Sequence, residues 1–217
     1  MYQNDAKRVL TPECRLSYAN LVTPKAPANN PNAEPKYSVT LLIPKSTGIK
    51  TELDAAMEAA AQEAVNAKWN GTRPARIESV VHDGDGVRPN GEPFGPECKG
   101  CWVVTASSKN PPYVCGIDNT QCQLAPTDIY SGMWARVSIN FYGYNSAGKR
   151  GVGCGLRGVM KTRDDTPLSG AVVTASEFEG VGAVPVAPAA PQYAAPQYGA
   201  TPTASAPAIN PLTGLPI

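Results

Sequence analysis

Residues 132–145 read GMWARVSINFYGYN, and this stretch predicts one long β-strand with two different faces. Side chains alternate between the two sides of a strand, so residues of one parity share a face. The first face is apolar: Met133, Ala135, Val137, Ile139 and Phe141. The second carries three rings, a cation and two hydrogen-bonding groups: Trp134, Arg136, Ser138, Asn140, Tyr142 and Tyr144. Such a face suits base stacking and phosphate contact, although rings also serve to cover a helix or a second sheet.

The composition limits the classes to which the chain can belong. It has 217 residues with 19 basic and 18 acidic side chains, a net charge of +1, so binding to nucleic acid would depend on local clusters. No apolar run is long enough to cross a bilayer, and the N-terminus lacks a signal-peptide core, which predicts a cytoplasmic protein without a membrane partner. The six cysteines are then expected to be thiols or metal ligands.

Five segments predict the long strands of a small barrel: 13–22, 36–43, 101–107, 132–145 and 150–163. The last two are separated by a short turn containing Asn and Gly, which predicts a β-hairpin. Glycines at 151, 153, 155 and 158 would allow the final strand to bend. Shorter strands are expected at 74–81 and 113–117, and the polar residues 1–11 are expected to be frayed.

Residues 49–69 predict a single amphipathic helix, because their apolar positions recur every three or four residues. Trp69 is expected to anchor it, and Asn70-Gly71 to end it. The order of elements predicts a mainly β, OB-fold-like five-stranded Greek-key barrel with this helix between strands 2 and 3. Residues 82–100, rich in Gly, Pro and Asp, predict a long loop of the kind that often carries function.

The composition changes after residue 180. Residues 181–217 carry no charged side chain and contain a near repeat, APQY, at 190–193 and 195–198. Such a segment cannot bury a core, which predicts a disordered Pro/Ala-rich tail. We therefore expect one domain at 12–180 and a tail at 181–217.

Catalytic and metal-binding patterns are weak. Four cysteines offer a possible zinc set, but six residues separate the second pair, against the usual two to four: Cys98, Cys101, Cys115 and Cys122. A magnesium-dependent nuclease would need Asp83, Asp85 and Asp118 to converge. The chain has no Walker loop, and its one histidine, His82, gives no convincing catalytic set. We expect no enzyme, no metal and no cofactor, with the nuclease as an alternative.

Segments in fixed order resemble a known family: CRLSYANLVTPKAP at 14–27, PKYSVTLLIPK at 35–45, HDGDG at 82–86, GCWVVTASSKNPP at 100–112 and IYSGMWARVSINFYGYNSAGKRGVGCGLRGVMKTRDDTPLSG at 129–170. Over residues 12–180 the chain resembles the Enc34-type family of phage single-stranded-DNA-binding proteins, once known as a domain of unknown function. The resemblance implies an OB-fold that coats single-stranded DNA in phage replication, recombination or repair, with little sequence preference. It implies phage replication or recombination proteins as partners and leaves oligomerisation on DNA open.

One departure from the family concerns the C-terminus. Members often end in an acidic tail with an aromatic residue, whereas here only Glu177-Phe178-Glu179 is similar and an uncharged extension follows. A structural phage protein with this extension as a surface appendage is a further alternative.

Rings and cations of the later strands are the expected DNA contacts. Stacking is worth roughly 1–3 kcal/mol per base, so two or three rings would dominate the affinity of a nearly neutral protein. The candidate rings are Trp102, Trp134, Tyr142 and Tyr144, of which Trp102 has the strongest claim to a core position. The candidate cations are Lys109, Arg136, Lys149, Arg150, Arg157, Lys161 and Arg163. The last strand gives Arg157, Lys161 and Arg163 one parity, which predicts a basic row beside the aromatic row.

Overall fold

The computed structural model describes residues 5–27, 30–146 and 148–168. The predicted tail at 181–217 and the segment Glu177-Phe178-Glu179 lie outside this part of the chain. Within it, eight strands and one α-helix occur in the order β1 Arg8–Leu10, β2 Cys14–Lys25, β3 Lys36–Pro44, α1 Lys50–Ala67, β4 Val81–Asp83, β5 Cys101–Ser108, β6 Tyr113–Gly116, β7 Trp134–Ser146 and β8 Lys149–Arg163.

The five long strands close a barrel. Neighbouring strands follow the order β2–β3–β5–β8–β7, and β7 pairs again with β2. The β5–β8 pairing is parallel and the other four are antiparallel. This arrangement confirms the predicted five-stranded OB-fold-like barrel with the helix between its second and third long strands.

The two faces of β7 differ as its sequence predicts. All five apolar residues of the first parity are at most 1% exposed, whereas Tyr142 and Tyr144 remain 39% and 38% exposed. The apolar side chains of β7 pack with those of the other strands in the barrel core, and the face of β7 that carries the tyrosines points outward. The rings of Tyr142 and Tyr144 are therefore not buried beneath the helix.

Helix α1 packs on β7 and ends where the sequence predicts. Asn70 and Gly71 adopt φ of 53° and 78°, a left-handed conformation that stops the helix. Trp69 is fully buried, and its Nε1 donates a hydrogen bond to the carbonyl oxygen of Tyr144 at 2.8 Å. The predicted anchor is thus confirmed, and it fixes the helix against the end of β7.

Gly143 lets the helix approach β7 closely, and replacing it should destabilise the fold. A Cβ atom at Gly143 would lie 2.1 Å from the Cβ of Ala64. We expect Gly143→Ala to lower the free energy of unfolding by about 1–3 kcal/mol through overpacking, measured by urea denaturation. Gly116→Ala is the matched control, because its Cβ would meet only Leu124 Cδ2 at 3.6 Å. Equal stability of the two variants would contradict this packing.

Two short segments differ from the sequence predictions. Residues 1–11 were expected to be frayed, but Arg8–Leu10 pair with β7 and Val9 is 2% exposed, so burial of one apolar residue holds this strand. The strand predicted at 74–81 is wrong, since β4 begins only at Val81. The Ser79 hydroxyl lies at the start of β4, where it accepts a hydrogen bond from the Val81 N–H at 3.1 Å and donates one to the Val81 carbonyl at 2.9 Å.

The long segment that follows β4 covers part of the outer barrel surface. Phe94 packs with Cys98 against Leu42 of β3 and Val103 of β5, forming a small second core outside the barrel. These two strand residues have the parity opposite to that of the buried Leu41 and Val104, so they face outward. The predicted loop is therefore a wall on the face of β3 and β5.

Candidate nucleic-acid interface

Three side chains of β7 lie flat across glycines of β8: Asn140, Tyr142 and Tyr144. We call these three residues the tyrosine row. The register pairs Asn140 with Gly155, Tyr142 with Gly153 and Tyr144 with Gly151. A Cβ at Gly153 would lie 2.8 Å from the Tyr142 ring, and one at Gly151 would lie 2.6 Å from the Tyr144 hydroxyl oxygen. These glycines therefore give the rings room to lie on the backbone, beyond any role in bending. Burial of one face raises the pKa of Tyr142, so the phenol is neutral at pH 7.

Trp134 is more enclosed than the two tyrosines. The guanidinium of Arg163 lies 4.1 Å from its ring centroid, and its Nε1 donates a hydrogen bond to Asp165 at 2.8 Å. Arg163 also pairs with Glu13 at 3.2 Å. Both predicted residues thus contact protein partners, and one face of the ring is already occupied by a cation.

The predicted basic row does not form, because two register shifts interrupt the β7–β8 hairpin. Arg157 is the extra residue of one bulge, between the pairs Ser138–Gly158 and Ile139–Leu156. Lys161 pairs opposite the buried Ala135, and its side chain is only 12% exposed. Arg157, Lys161 and Arg163 therefore do not share a face, since each bulge reverses the parity that the sequence suggested.

Lys161 is held by protein groups. Its ammonium donates to the Asp128 carbonyl at 2.9 Å, pairs with Asp164 at 2.7 Å and lies 5.1 Å from the Tyr130 ring centroid. The side-chain hydrogen bond from Lys161 also lowers the pKa of Asp164. With these partners satisfied, Lys161 has little capacity left for a phosphate.

Trp102 belongs to the barrel side of β5. It pairs opposite the buried Ile43, packs half-buried against the main core, and lies beneath the ammonium groups of Lys45 and Lys50 at 5.0 and 5.2 Å. Trp102 therefore lies on the core side of β5, and its ring does not join the tyrosine row.

The remaining predicted cations occupy three places. Arg136 and Lys149 are exposed, the first on the outer face of β7 and the second beside the hairpin turn. Arg150 donates to the carbonyl of Thr72 at 3.3 Å. Lys109 is exposed at the end of β5, where it pairs with Glu34.

Sequence reasoning missed a second aromatic surface on the outer face of β2, β3 and β5, which we call the outer groove. A cavity of about 360 Å³ opens there between the strands and the wall formed by the long loop. Its lining includes the rings of Tyr18, His82 and Phe94 and the polar side chains of Ser17, Thr40, Arg88, Asn90, Glu97 and Thr105. Tyr18 is 65% exposed with φ of 48°, rare for a bulky residue. Nothing in the local sequence indicated that the chain would hold this ring out from a strand.

Three lysines lie together where β2, β3 and β5 meet the connecting loops. Lys25 and Lys36 pair directly opposite each other, and Lys109 follows Ser108, which pairs with Tyr37 beside Lys36. Lys25 and Lys36 form no ion pair with any residue that the structure describes. Like charges in directly opposed positions destabilise a sheet, and a bound phosphate would relieve that repulsion. We call this set the lysine cluster.

A row of small polar residues joins the outer groove to the tyrosine row. The ladder pairs Ser38 with Ser107, Ser107 with Gly155 and Gly155 with Asn140. Three steps between strands cover about 14 Å, and no bulky side chain stands on this row. We call it the polar bridge, because it makes the two aromatic surfaces parts of one outer face.

The cysteines and acids do not assemble as a metal or nuclease site would require. Cys98 and Cys101 pack in the small second core, Cys115 lies in β6, and Cys122 is exposed in the loop after it. Asp83 and Asp85 both bind the Lys45 ammonium, away from Asp118. Among the residues that the structure describes, no three His, Cys, Asp or Glu side chains are placed to share a metal ion. The described structure therefore brings together neither the four cysteines nor the three aspartates that these two alternatives need.

No helix within the described ranges has the length and apolar character that crossing a bilayer requires.

Known proteins match this chain over most of its length. The family model for the single-stranded-DNA-binding protein of Enterobacter phage Enc34 matches residues 7–185. Protein p50 of Acyrthosiphon pisum secondary endosymbiont phage 1 is 31% identical over 156 residues, which cover 66% of this chain and 78% of p50.

Solved structures agree with the family match. The bacteriophage Enc34 single-stranded-DNA-binding protein in complex with single-stranded DNA is 27% identical, with a TM-score of 0.63 over 76% of this chain and 90% of that one. The bacteriophage T7 protein gp2.5, at 18% identity and a TM-score of 0.51 over 82% of this chain and 98% of that one, shares the fold. The chain therefore belongs to the family of the Enc34 single-stranded-DNA-binding protein.

Proposed function

We propose that this protein binds and coats single-stranded DNA with little sequence specificity, through base stacking and phosphate contacts. Membership in the Enc34 family supports this, as does the likeness to the Enc34 protein that was solved with single-stranded DNA. The acting residues are the tyrosine row, Arg136, Lys149 and the lysine cluster, with Tyr18 and Phe94 added from the outer groove.

The observation that carries the proposal is the continuity of exposed rings and cations on one outer face. Tyr142 and Tyr144 each keep one ring face open, because the other lies on glycine backbone. The polar bridge offers hydroxyl and amide groups between these rings and the groove. A single strand needs flat apolar surfaces for its bases and positive charge along its backbone, and this face offers both.

The protein would act in phage DNA replication, recombination or repair, since each of these processes exposes single-stranded DNA. A coat protein of this kind prevents re-pairing of a strand that other phage proteins then use. Contacts with replication or recombination proteins, and adjacent copies along one strand, are part of this proposal.

Fluorescence anisotropy with a labelled dT oligomer and a duplex of the same length tests the function. We expect tighter binding to the single strand, and a logarithm of the association constant that falls linearly with the logarithm of salt concentration. The strand should stay intact with Mg²⁺ present. Degradation would support a nuclease instead, and failure to bind at low salt would support a structural phage protein.

A further inference from the structure

The cavity of the outer groove is lined by an arginine, Arg88, that packs on a ring. Arg88 lies half-buried with its guanidinium 5.4 Å from the Phe94 ring centroid. Its Nε is shielded from solvent and has no hydrogen-bond partner among the residues that the structure describes. An unpaired buried donor costs free energy, and an acceptor supplied by a ligand would remove that cost.

An acid lines the same cavity and does not pair with this arginine. Glu97 is half-buried on the wall with its carboxylate against Gly95, and its only side-chain hydrogen bond in the described chain is a weak one from the Cys98 thiol at 3.8 Å. Arg88 and Glu97 share the cavity but form no ion pair with each other. The cavity therefore offers a ligand both hydrogen-bond donors, from the guanidinium, and acceptors, from the carboxylate. A ligand with an acceptor edge and a donor edge would satisfy both.

Rings make the cavity suitable for a flat ligand. Phe94 and His82 lie with their centroids 6.2 Å apart and tilted by 38°, above the outward-facing Leu42 and Val103. Burial lowers the pKa of His82, so the imidazole is neutral at pH 7 and adds no competing charge.

Tyr18 separates this cavity from a second one. Tyr18 lines both the 360 Å³ cavity and a neighbouring space of about 490 Å³, as do Ser17 and Glu97, and the second space also includes Lys25 and Ser131. The left-handed conformation of Tyr18 is held because Ser131 accepts a hydrogen bond from the next amide, that of Ala19, at 3.0 Å. Strained residues of this kind concentrate at ligand sites, and a ring between two cavities would part successive bases of a strand.

We propose that this cavity holds one guanine of the bound strand, with Arg88 on its acceptor edge and Glu97 on its donor edge. Guanine presents O6 and N7 as acceptors and its N2 amino group as a donor, and a guanidinium fork fits the first pair. Adenine places a donor beside N7, and thymine has no amino group and only its N3–H to donate. Cytosine can offer O2 and N3 to a guanidinium and N4 to a carboxylate, but its single ring has less surface than a purine to stack on Phe94. The other bases of the strand would be bound without selection, so the protein would prefer guanine at a single position.

This inference rests on the proposed function, and the experiment separates the two. Competition against a labelled dT oligomer would compare unlabelled dT oligomers that carry one central dG, dA or dC. We expect the dG oligomer to compete about tenfold better than the others, the order of discrimination for one bidentate contact. Tight binding of dT with no advantage for dG would overturn the inference alone, and failure to bind any oligomer would overturn the proposed function.

Variants assign the preference to the cavity. Arg88→Lys keeps the charge but loses the fork, and Glu97→Gln loses one acceptor, so both should reduce the dG advantage to less than about twofold while dT affinity changes little. Arg76→Lys, on an exposed residue outside the cavity, is the matched control and should retain the advantage. Retention of the preference by Arg88→Lys and Glu97→Gln would contradict this site. The wild-type comparison stands whether or not these variants fold.

Discussion

Changing Tyr142 and Tyr144 together to alanine is expected to weaken binding to a dT oligomer by more than about tenfold. Each base–ring stack is worth roughly 1–3 kcal/mol, and 1.4 kcal/mol corresponds to a factor of ten. Both rings lie on the outer side of β7 with one face open, so their removal takes away stacking surface without opening the barrel. Anisotropy titrations at fixed salt measure the change.

The control for this variant keeps the rings. Tyr142→Phe with Tyr144→Phe retains the aromatic faces above Gly153 and Gly151 and should bind within about twofold of the wild type. Urea denaturation should show that the alanine variant still folds cooperatively. Wild-type affinity in a folded alanine variant would remove the tyrosine row from the site.

Replacing the lysine cluster should change both affinity and its salt dependence. For single strands the logarithm of the association constant changes by about 0.7 per phosphate contact for each decade of salt. Changing Lys25, Lys36 and Lys109 to glutamine should therefore reduce the slope by about two and the affinity at 0.1 M salt by about a hundredfold. A salt titration of the variant and the wild type measures both quantities.

A charge-matched variant distinguishes local contacts from net charge. Lys50, Arg73 and Arg76 lie on α1 and the segment after it, outside the groove and the tyrosine row. Changing these three to glutamine removes the same charge and should leave the slope within about half a unit of the wild type. Equal losses from the two triple variants would show that general electrostatic attraction, rather than the lysine cluster, sets the salt dependence.

The barrel was predictable because burial on one side imposes a period of two that is visible in the sequence. In β7 each apolar residue of one parity is buried, and the hairpin turn fixes its partner strand. That turn also implied that Tyr142 pairs with Gly153 and Tyr144 with Gly151. A ring opposite a glycine is a signal that the ring lies flat on the neighbouring strand, and the glycine spacing alone did not give it.

The failures have local physical causes. Bulges at Arg157 and Thr162 each add one residue to β8, and no feature of the sequence composition predicts them. Parity along β8 therefore assigned its basic side chains to the wrong faces. Trp134 depends on Asp165, which is 31 residues further along the chain. The outer groove requires β2, β3, β5 and a distant loop at once, and periodicity within one strand carries no information about such a combination.

Photo-crosslinking with 5-iodouracil tests most directly whether a single strand follows the outer face across the polar bridge. An oligomer with iodouracil at successive positions would be irradiated with the wild-type protein, and the crosslinked residues identified by mass spectrometry. We expect crosslinks at Tyr142 or Tyr144 from some positions and at Tyr18 or Phe94 from others of the same oligomer. Crosslinks confined to residues outside both aromatic surfaces would contradict this path.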